Sequence, residues 1–410
     1  MYRVIASDTF ESIARKQYGD EKQAIRIATA NPGVAEPLTA GTALSIPTLP
    51  DAPSDRAQEQ PSGSDSEVAV LIDGQRFRYW ENIRITRAVD AVDTLEITAP
   101  FQADKQAFRD TFRPFSYKQV RVTVAGKTLF TGTMVGVTPT LENNRRTLGV
   151  SAYSLPGVLN DCTLPASTYD KQGVETDKQG LKEIATTMAS PFGLGVVFDA
   201  EQGAPFERVA VDTTERVLAY LTKLAQQRNL IISSTPTGQL LFQQSVKAGN
   251  PVAILSQGSS PVLQVTPFFS PQEYYSHVTG IDPVLVGQKG SQFTVKNARL
   301  QGVVRPTTFK APDVAGGGVK AAVEAKAGRM FANMVSYTLE LPTWRDPQGE
   351  LWAPNTTVKL QAPGAMIYTS YEFVIRSVEF NRSNSETAKL NLVLPGAFSG
   401  ETPETLPWDE

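Results

Sequence analysis

Apolar and polar residues alternate with period two along most of the chain, and this pattern predicts the elements. Residues 68–72 and 75–79 are two such runs flanking Asp73-Gly74, a dipeptide suited to a type I′ hairpin turn. Residues 83–86, 95–98 and 120–124 alternate in the same way, the last turning at Ala125-Gly126. Residues 134–138 and 148–153 are predicted strands joined across Glu142-Asn143-Asn144. Many short alternating strands imply sheets with one buried face, in a barrel or sandwich. From 161 to 246 the period changes. Leu181, Ile184, Ala185 and Met188 form one helix face, and Val217, Leu218, Leu221, Leu224 and Ala225 a second. Asp212 is the expected cap of that second helix, with Glu215 completing a capping box. Short strands at 195–198, 230–233 and 240–243 make this a small α+β domain, the last two joined by Pro236-Thr237-Gly238. Alternation resumes near Val262. A helix predicted over 319–335 interrupts it, and strands at 358–360, 373–380 and 389–394 close the pattern.

The first fifty residues follow another order, strand-helix-helix-strand. A strand at 2–5 leads into a helix with Phe10, Ile13 and Ala14 on one face, for which Asp8 and Glu11 form the expected capping box. Gly19 is the glycine stop. A second helix over 21–30 buries Ala24, Ile27 and Ala28, breaks at Asn31-Pro32, and is followed by a strand at 44–46. Residues 48–67 are rich in Pro, Ser, Asp and Gln and read as a flexible linker. The resulting division is 1–48, a small βααβ domain; 49–66, linker; 67–160, a first β domain; 161–248, an α+β domain; 249–398, a second β domain with a helical insertion; and 399–410, an acidic, poorly ordered tail. The fold class is α+β, mostly β. Residues 129–153 and 371–394 each read strand, polar turn, strand, an internal echo that points to two copies of one barrel type separated by the α+β insert.

Composition narrows the function classes. A net charge of -3, a pI near 5.6 and no basic run argue against a sequence-specific or general nucleic-acid binder, which needs clustered Lys and Arg. The single cysteine, Cys162, excludes an intrachain disulfide and fits folding in a reducing cytoplasm. The start Met1-Tyr2-Arg3-Val4 lacks signal-peptide features, and no apolar run is long enough for a membrane anchor.

Catalytic chemistry is sparse. Cys162 reads as a small buried residue just past a strand rather than a nucleophile. His277 is the only histidine, so a His-based zinc site is not expected, and no Gly-x-Ser-x-Gly elbow accompanies it. Gly316-Gly317-Gly318-Val319-Lys320 lacks the Gly-Lys-Ser/Thr ending of a phosphate loop and reads as a hinge before a helix. Asp90 and Asp93 are spaced as a carboxylate pair but sit between two strands, where solvated turn carboxylates are expected. No catalytic, cofactor or metal site is predicted.

Two resemblances add to this reading. Val4, the Ser7-Asp8-Thr9-Phe10 turn, Ile13-Ala14, Tyr18-Gly19-Asp20, Ile27, Asn31-Pro32, Leu38, Gly41 and Leu44-Ser45-Ile46-Pro47 resemble the LysM family, with Ser7 where that family usually has Gly. The resemblance implies binding of N-acetylglucosamine polymers such as peptidoglycan, with Ser7, Asp8, Thr9, Asn31 and Pro32 as contact candidates, whether to glycan or to protein. Residues 79–398 resemble the baseplate hub proteins of contractile phage tails, in particular the Mu-like tail protein family. The likeness is carried by Trp80 and Asp90-Ala91-Val92-Asp93, by Leu129-Phe130-Thr131-Gly132-Thr133 with Leu159-Asn160-Asp161-Cys162, and by Gly349-Glu350-Leu351-Trp352-Ala353-Pro354-Asn355 with Val358.

The hub resemblance implies a structural protein and not an enzyme. It implies two tube-type β-barrel domains per chain and a homotrimeric ring of six similar units, which joins a six-fold tail tube to a three-fold central spike. Tail tube protein, central spike protein, baseplate wedge proteins and the tape measure protein are the implied partners. The implied place is the virion, after assembly in the bacterial host cytoplasm. Trp80, Trp344 and Trp352 are the expected interface anchors, because Trp so often dominates interfaces. The alternatives are a peptidoglycan-targeted lytic enzyme and a cytoplasmic LysM-containing binding protein.

Overall fold

The computed structural model describes residues 2–18, 21, 24–31, 33–46, 67–142, 145–169, 175–258, 262–281, 291–300, 302–310, 318–398, 400 and 405–409. The chain forms two compact units, Met1–Gln60 and Pro61–Glu410. The expected linker 49–66, the Gly19 stop, Pro32, Gly316 and Gly317 lie outside the described residues.

In the first unit β1 (Tyr2–Arg3) pairs antiparallel with β2 (Ala43–Leu44), and α1 (Phe10–Tyr18) and α2 (Ala24–Ala30) lie between them in sequence. Val4, Phe10, Ile13, Ala14, Ile27 and Leu44 form the core, matching the predicted helix faces. The cap differs from expectation. Because α1 begins at Phe10, Thr9 is its N-cap and Ser12 answers it: the Thr9 amide donates to Ser12 Oγ at 3.0 Å and the Ser12 amide to Thr9 Oγ1 at 3.1 Å. Glu11 is exposed and Asp8 turns inward. Ser7 has φ 75°, in the left-handed region that favours glycine. Ser7→Gly is expected to stabilise this unit by about 1 kcal/mol, read as a rise in its thermal midpoint.

The second unit opens with β3 (Val68–Ile72) and β4 (Gln75–Phe77), joined at Asp73 (φ 49°) and Gly74 (φ 78°), the positive pair of a type I′ turn. β5 (Asn82–Ala88), β6 (Thr94–Pro100), α3 (Gln106–Thr111), β7 (Gln119–Val124), β8 (Lys127–Glu142) and β9 (Arg145–Ser154) follow. Inward positions on these strands are Val, Ile and Leu at alternate residues, so one face of the sheet is buried.

The α+β segment runs through α4 (Val158–Asp161), α5 (Ala166–Tyr169), β10 (Glu175–Gln179), α6 (Leu181–Ala189), β11 (Val196–Asp199), β12 (Phe206–Ala210), α7 (Val217–Gln227), β13 (Leu230–Ser234) and β14 (Leu240–Gln244). Its three-stranded sheet has the order β11-β14-β13, and the predicted faces of α6 and α7 pack over Phe206 and Phe242. Asp212 does not cap α7, whose N-cap is Arg216. Its carboxylate instead accepts the Thr214 amide at 2.8 Å in the preceding turn, and Glu215 pairs with Lys223. Asp212 lies one turn too early in the chain to reach the first free amides of the helix.

The last segment contains β15 (Ala253–Ser256), β16 (Gln264–Phe269), an insert of β17 (His277–Ile281), β18 (Gln292–Lys296), β19 (Pro306–Lys310) and α8 (Gly318–Asn333), then β20 (Val335–Leu341), β21 (Thr357–Ala362), β22 (Ile367–Arg382) and β23 (Glu386–Val393). α8 packs on the separate sheet β18-β17-β19 through Val319, Val323 and Ala327. The tail expected to be poorly ordered is docked over 405–409. Leu406 is buried, Trp408 stacks edge-on against Phe269 at 5.4 Å, and Asp409 pairs with Arg299 at 2.9 Å. Two apolar residues within an acidic, proline-containing segment are enough to anchor it.

Two separate barrels were expected, and no closed barrel is found among the described residues. Strands of both β segments instead join one 13-stranded sheet, β16-β20-β23-β22-β5-β6-β9-β8-β7-β3-β4, with β21 and β15 branching from β22. Alternation identified the strands and their buried faces, but period two carries no information on which strands become neighbours. The junction is β22 against β5, antiparallel, from Ser377↔Ala88 to Arg382↔Ile83.

The echo between the two β segments is real in the topology. The order β5-β6-β9-β8-β7 matches β16-β20-β23-β22-β21, strand for strand. β8 and β22 are both 16 residues long, and each has a bulge halfway, at Met134/Gly136 and at Ile375/Ser377. The outer strands differ: β3 is antiparallel to β7, whereas β15 is parallel to β21.

Candidate functional site: an assembly surface

One face of the large sheet is apolar and the other polar, and the junction is built from both. On the apolar side Ile83 and Ile85 of β5 and Val378 and Phe380 of β22 are all fully buried. On the polar side Arg84 reaches Glu96 at 3.3 Å within its own segment, and Asn381 at 3.3 Å and Glu379 at 4.0 Å across the junction. A second pair, Lys389 to Glu340 at 3.7 Å, lies on β23 and β20. These charges are half-exposed, so each is worth little to stability. They make the face hydrophilic.

The α+β segment is fixed to this sheet from two sides. Asn355, in the left-handed region at φ 61°, accepts the Val246 amide at 2.8 Å and donates to Gln244 O at 2.9 Å. Asp90 accepts the Ile232 amide at 3.0 Å and returns its own amide to Ile232 O at 2.7 Å. Arg329 of α8 donates to Gln226 O, Asn229 Oδ1 and Phe398 O at 2.9, 3.0 and 3.1 Å. Asn355→Ala removes two of these bonds and is expected to cost about 2 kcal/mol, measured as a lower urea midpoint at unchanged m-value.

The tryptophans do not present an assembly surface as a set. Trp344 is 1% exposed; its Nε1 donates to Thr387 O at 2.9 Å and Asn381 O at 3.1 Å, and its ring meets Phe380 edge-on at 5.3 Å. Trp352 is also buried and donates to Thr343 O at 3.2 Å. Both are core anchors: the β22–β23 end supplies the carbonyls for the Trp344 indole, and Thr343 supplies the one for Trp352. Trp80 is half-buried against the same core.

In the first unit the five candidate residues separate. Asp8 accepts Tyr2 Oη at 2.9 Å, the Ile5 amide at 3.0 Å and Lys16 Nζ at 2.7 Å. The Lys16 ammonium and these donors hold its carboxyl down at about 2. Asn31 clips α2 to the last strand, donating to Ile27 O at 2.7 Å and Ser45 O at 2.8 Å and accepting the Ser45 amide at 2.7 Å. Ser7 and Thr9 are exposed, and Pro32 lies outside the described residues. The structure therefore brings Ser7, Asp8 and Thr9 into one turn, where Asp8 is committed to holding the fold.

The chemical candidates also have structural partners. His277 Nδ1 bonds Ser276 Oγ at 2.9 Å, and that oxygen accepts the Arg305 amide at 2.8 Å. Cys162 is half-buried at the end of α4. Asp93, expected in solvent, is 3% exposed; it accepts the Ala88 amide at 2.9 Å and faces Arg87 Nε at 3.5 Å. Burial pushes its carboxyl up to about 6. Among the described residues no group of three or more His, Cys, Asp and Glu could hold a metal ion.

Comparison with known proteins agrees with an assembly role. Residues 157–244 match the family described as the second domain of gp44-like baseplate hub proteins, and residues 2–54 match Phage Tail Protein X. The chain is 21% identical over 348 residues to the baseplate hub protein gp44 of Escherichia phage Mu, covering 80% of this chain and 87% of that protein. The findings support a structural baseplate hub role. In fold the chain is similar to the 43 kDa tail protein of prophage MuSo2 from Shewanella oneidensis, with a TM-score of 0.69 at 22% identity over 81% of this chain and 99% of that one. A tail protein from Neisseria meningitidis gives the same TM-score at 18% identity, over 82% and 99% of the two chains. The matched span 157–244 is the α+β segment, which holds the motif Leu159-Asn160-Asp161-Cys162.

Proposed function

We propose that this chain is a symmetry-adapting baseplate hub of a contractile phage or phage-derived tail. Three copies form a ring of six similar β units that joins the tail tube to a central spike. One observation carries the reading: a duplicated strand order within a single chain, fused edge to edge at β5 and β22. A chain with two equivalent units makes a three-fold object that presents six units to a six-fold partner. The two faces of the sheet suit that arrangement, since one is closed by the core and the other is hydrophilic. The role is structural rather than catalytic, in the virion, after assembly in the host cytoplasm. Sedimentation equilibrium of the purified chain tests it. Three times the chain mass of 44.5 kDa is expected, and a monomer at every concentration would reject the ring.

For the first unit two readings stand: a LysM-like module that binds peptidoglycan, and a clamp on a neighbouring tail protein. The internal use of Asp8 and Asn31, together with the match to a tail-protein family, favours the clamp. Peptidoglycan pull-down and tail assembly after deletion of residues 1–50 separate them. The clamp predicts no pull-down and failed assembly; retention on peptidoglycan with normal assembly would overturn it.

A further inference from the structure

The insert of β17, β18, β19 and α8 leaves the large sheet after Phe269, the last residue of β16, and returns to it where α8 runs into β20. Its own core is Val278 of the sheet against Val319, Val323 and Ala327 of α8. Beyond Ala327 a cavity of about 220 Å³ separates helix from sheet. Val278 and Val295 wall it on the sheet side, Ala327, Met330 and Phe331 on the helix side, and Arg299 also lines it. Arg299 belongs to the turn after β18, which Asn297 closes: its Oδ1 accepts the Arg299 amide at 3.0 Å, and its carbonyl accepts the Leu300 amide at 3.2 Å. The Asn297 amide donates to Ser276 O at 2.9 Å, so this turn is tied to the start of β17.

Residues 405–409 bridge the large sheet and that turn. On the sheet side Leu406 and Pro407 are buried, Tyr371 Oη of β22 donates to Thr405 O at 2.8 Å, and the Trp408 ring meets Phe269 edge-on at 5.4 Å. On the insert side the Arg299 guanidinium donates to both Asp409 oxygens, at 2.9 and 3.2 Å. The segment is also closed on itself. The Asp409 carboxylate accepts the Leu406 amide at 2.8 Å, and the Asp409 amide donates to Leu406 O at 2.9 Å. One side chain therefore shapes the turn and grips the insert. Each grip is modest: the ion pair is partly exposed, and the aromatic contact is a single ring edge. Segments held by few contacts open far more often than the core around them.

We propose that residues 405–409 form a releasable strap between the large sheet and the insert, and that β17–β19 parts from the end of α8, across the cavity, when the strap lifts. Apolar packing between the two bodies passes chiefly through α8, whose Val319, Val323 and Ala327 lie in the insert core and whose Phe331 and Ala332 lie in the main core. The helix is the fixed arm. The strap is the second tie, and it takes hold where helix and sheet are already separated. Its sheet end is apolar and its insert end ionic, so either end can be cut without touching the insert itself. The contact lies within one chain, and the device works in a monomer and in a ring alike.

Hydrogen–deuterium exchange of the full chain, read by mass spectrometry, tests the strap. Trp408→Ala cuts the sheet end, and amides of β17 and β18 are expected to exchange about two- to tenfold faster, the range that one lost aromatic pair supports. Asp409→Asn cuts the insert end; the amide oxygen still accepts from Leu406, but the charge that holds Arg299 is gone. The same β17 and β18 amides should speed up. The double variant should add little to the larger single effect, because a strap freed at either end is already lifted. Amides of β13 and β14 in the α+β segment should keep their wild-type rates. Unchanged exchange in β17 and β18 in both single variants would overturn the strap. So would effects that simply add, or an acceleration that reaches β13 and β14 equally, which marks general destabilisation.

Discussion

Trp344→Ala is expected to lower the unfolding free energy of the large unit by about 3–5 kcal/mol. The indole is enclosed in the single chain, closes on Phe380 and satisfies two carbonyls of the β22–β23 hairpin. Truncation leaves a cavity beside the β5–β22 junction and removes a donor from a buried site. Because the loss arises inside one chain, it is independent of protein concentration. Urea denaturation at several concentrations checks this. A midpoint that falls only on dilution would return Trp344 to the interface role its sequence context predicts. Trp80, half-buried, should be less sensitive.

Asp93 predicts a pH dependence of opposite sign to that of most carboxylates. Its folded pKa is raised to about 6 from 3.8, chiefly by burial, against the lowering pull of Arg87 and the Ala88 amide. Between those values the folded state binds more protons than the unfolded state, so stability falls as pH rises from about 4 to 6. Below 3.8 both states are protonated and the group contributes nothing; above 6 the whole cost of about 3 kcal/mol is present. Asp93→Asn keeps an acceptor for the Ala88 amide and removes the charge. The variant is therefore expected to gain on the wild type across that window and stay ahead at pH 7. Thermal midpoints of the two proteins from pH 4 to 7 measure the difference; parallel curves would contradict the assignment. Asp8 works in the other direction, with stability present above 3.8 and lost as pH falls toward 2.

Much of the fold was legible as strands, helices and turns because each rests on local chemistry. Asp73-Gly74 and Ala125-Gly126 both take the positive φ values that hairpin turns need. The faces of α6 and α7 are buried as their spacing predicts. What the sequence did not carry was partnership at long range. Nothing in Ile83-Arg84-Ile85 says that its neighbour is 297 residues away, yet Arg84 bonds Asn381 across that junction. Trp344, with charged and proline neighbours, looked like a surface residue; distant carbonyls at Asn381 and Thr387 make it a core residue. Asp93 looked solvated for the same reason, and its enclosure comes from Arg87 and from Ser234, which accepts from Arg87 and lies 147 residues away. The Gly349–Asn355 motif was legible as distinctive, and the structure supplies its reason, since Asn355 pins the α+β segment to the sheet.

The assembly surface itself was partly legible. The internal echo pointed to two similar units, and the topology shows where they are joined within the chain. A cryo-EM reconstruction of the purified chain tests the central claim most directly. The account predicts a three-fold ring with six similar units around the axis. Isolated chains, or a ring whose units do not repeat six times around the axis, would contradict it.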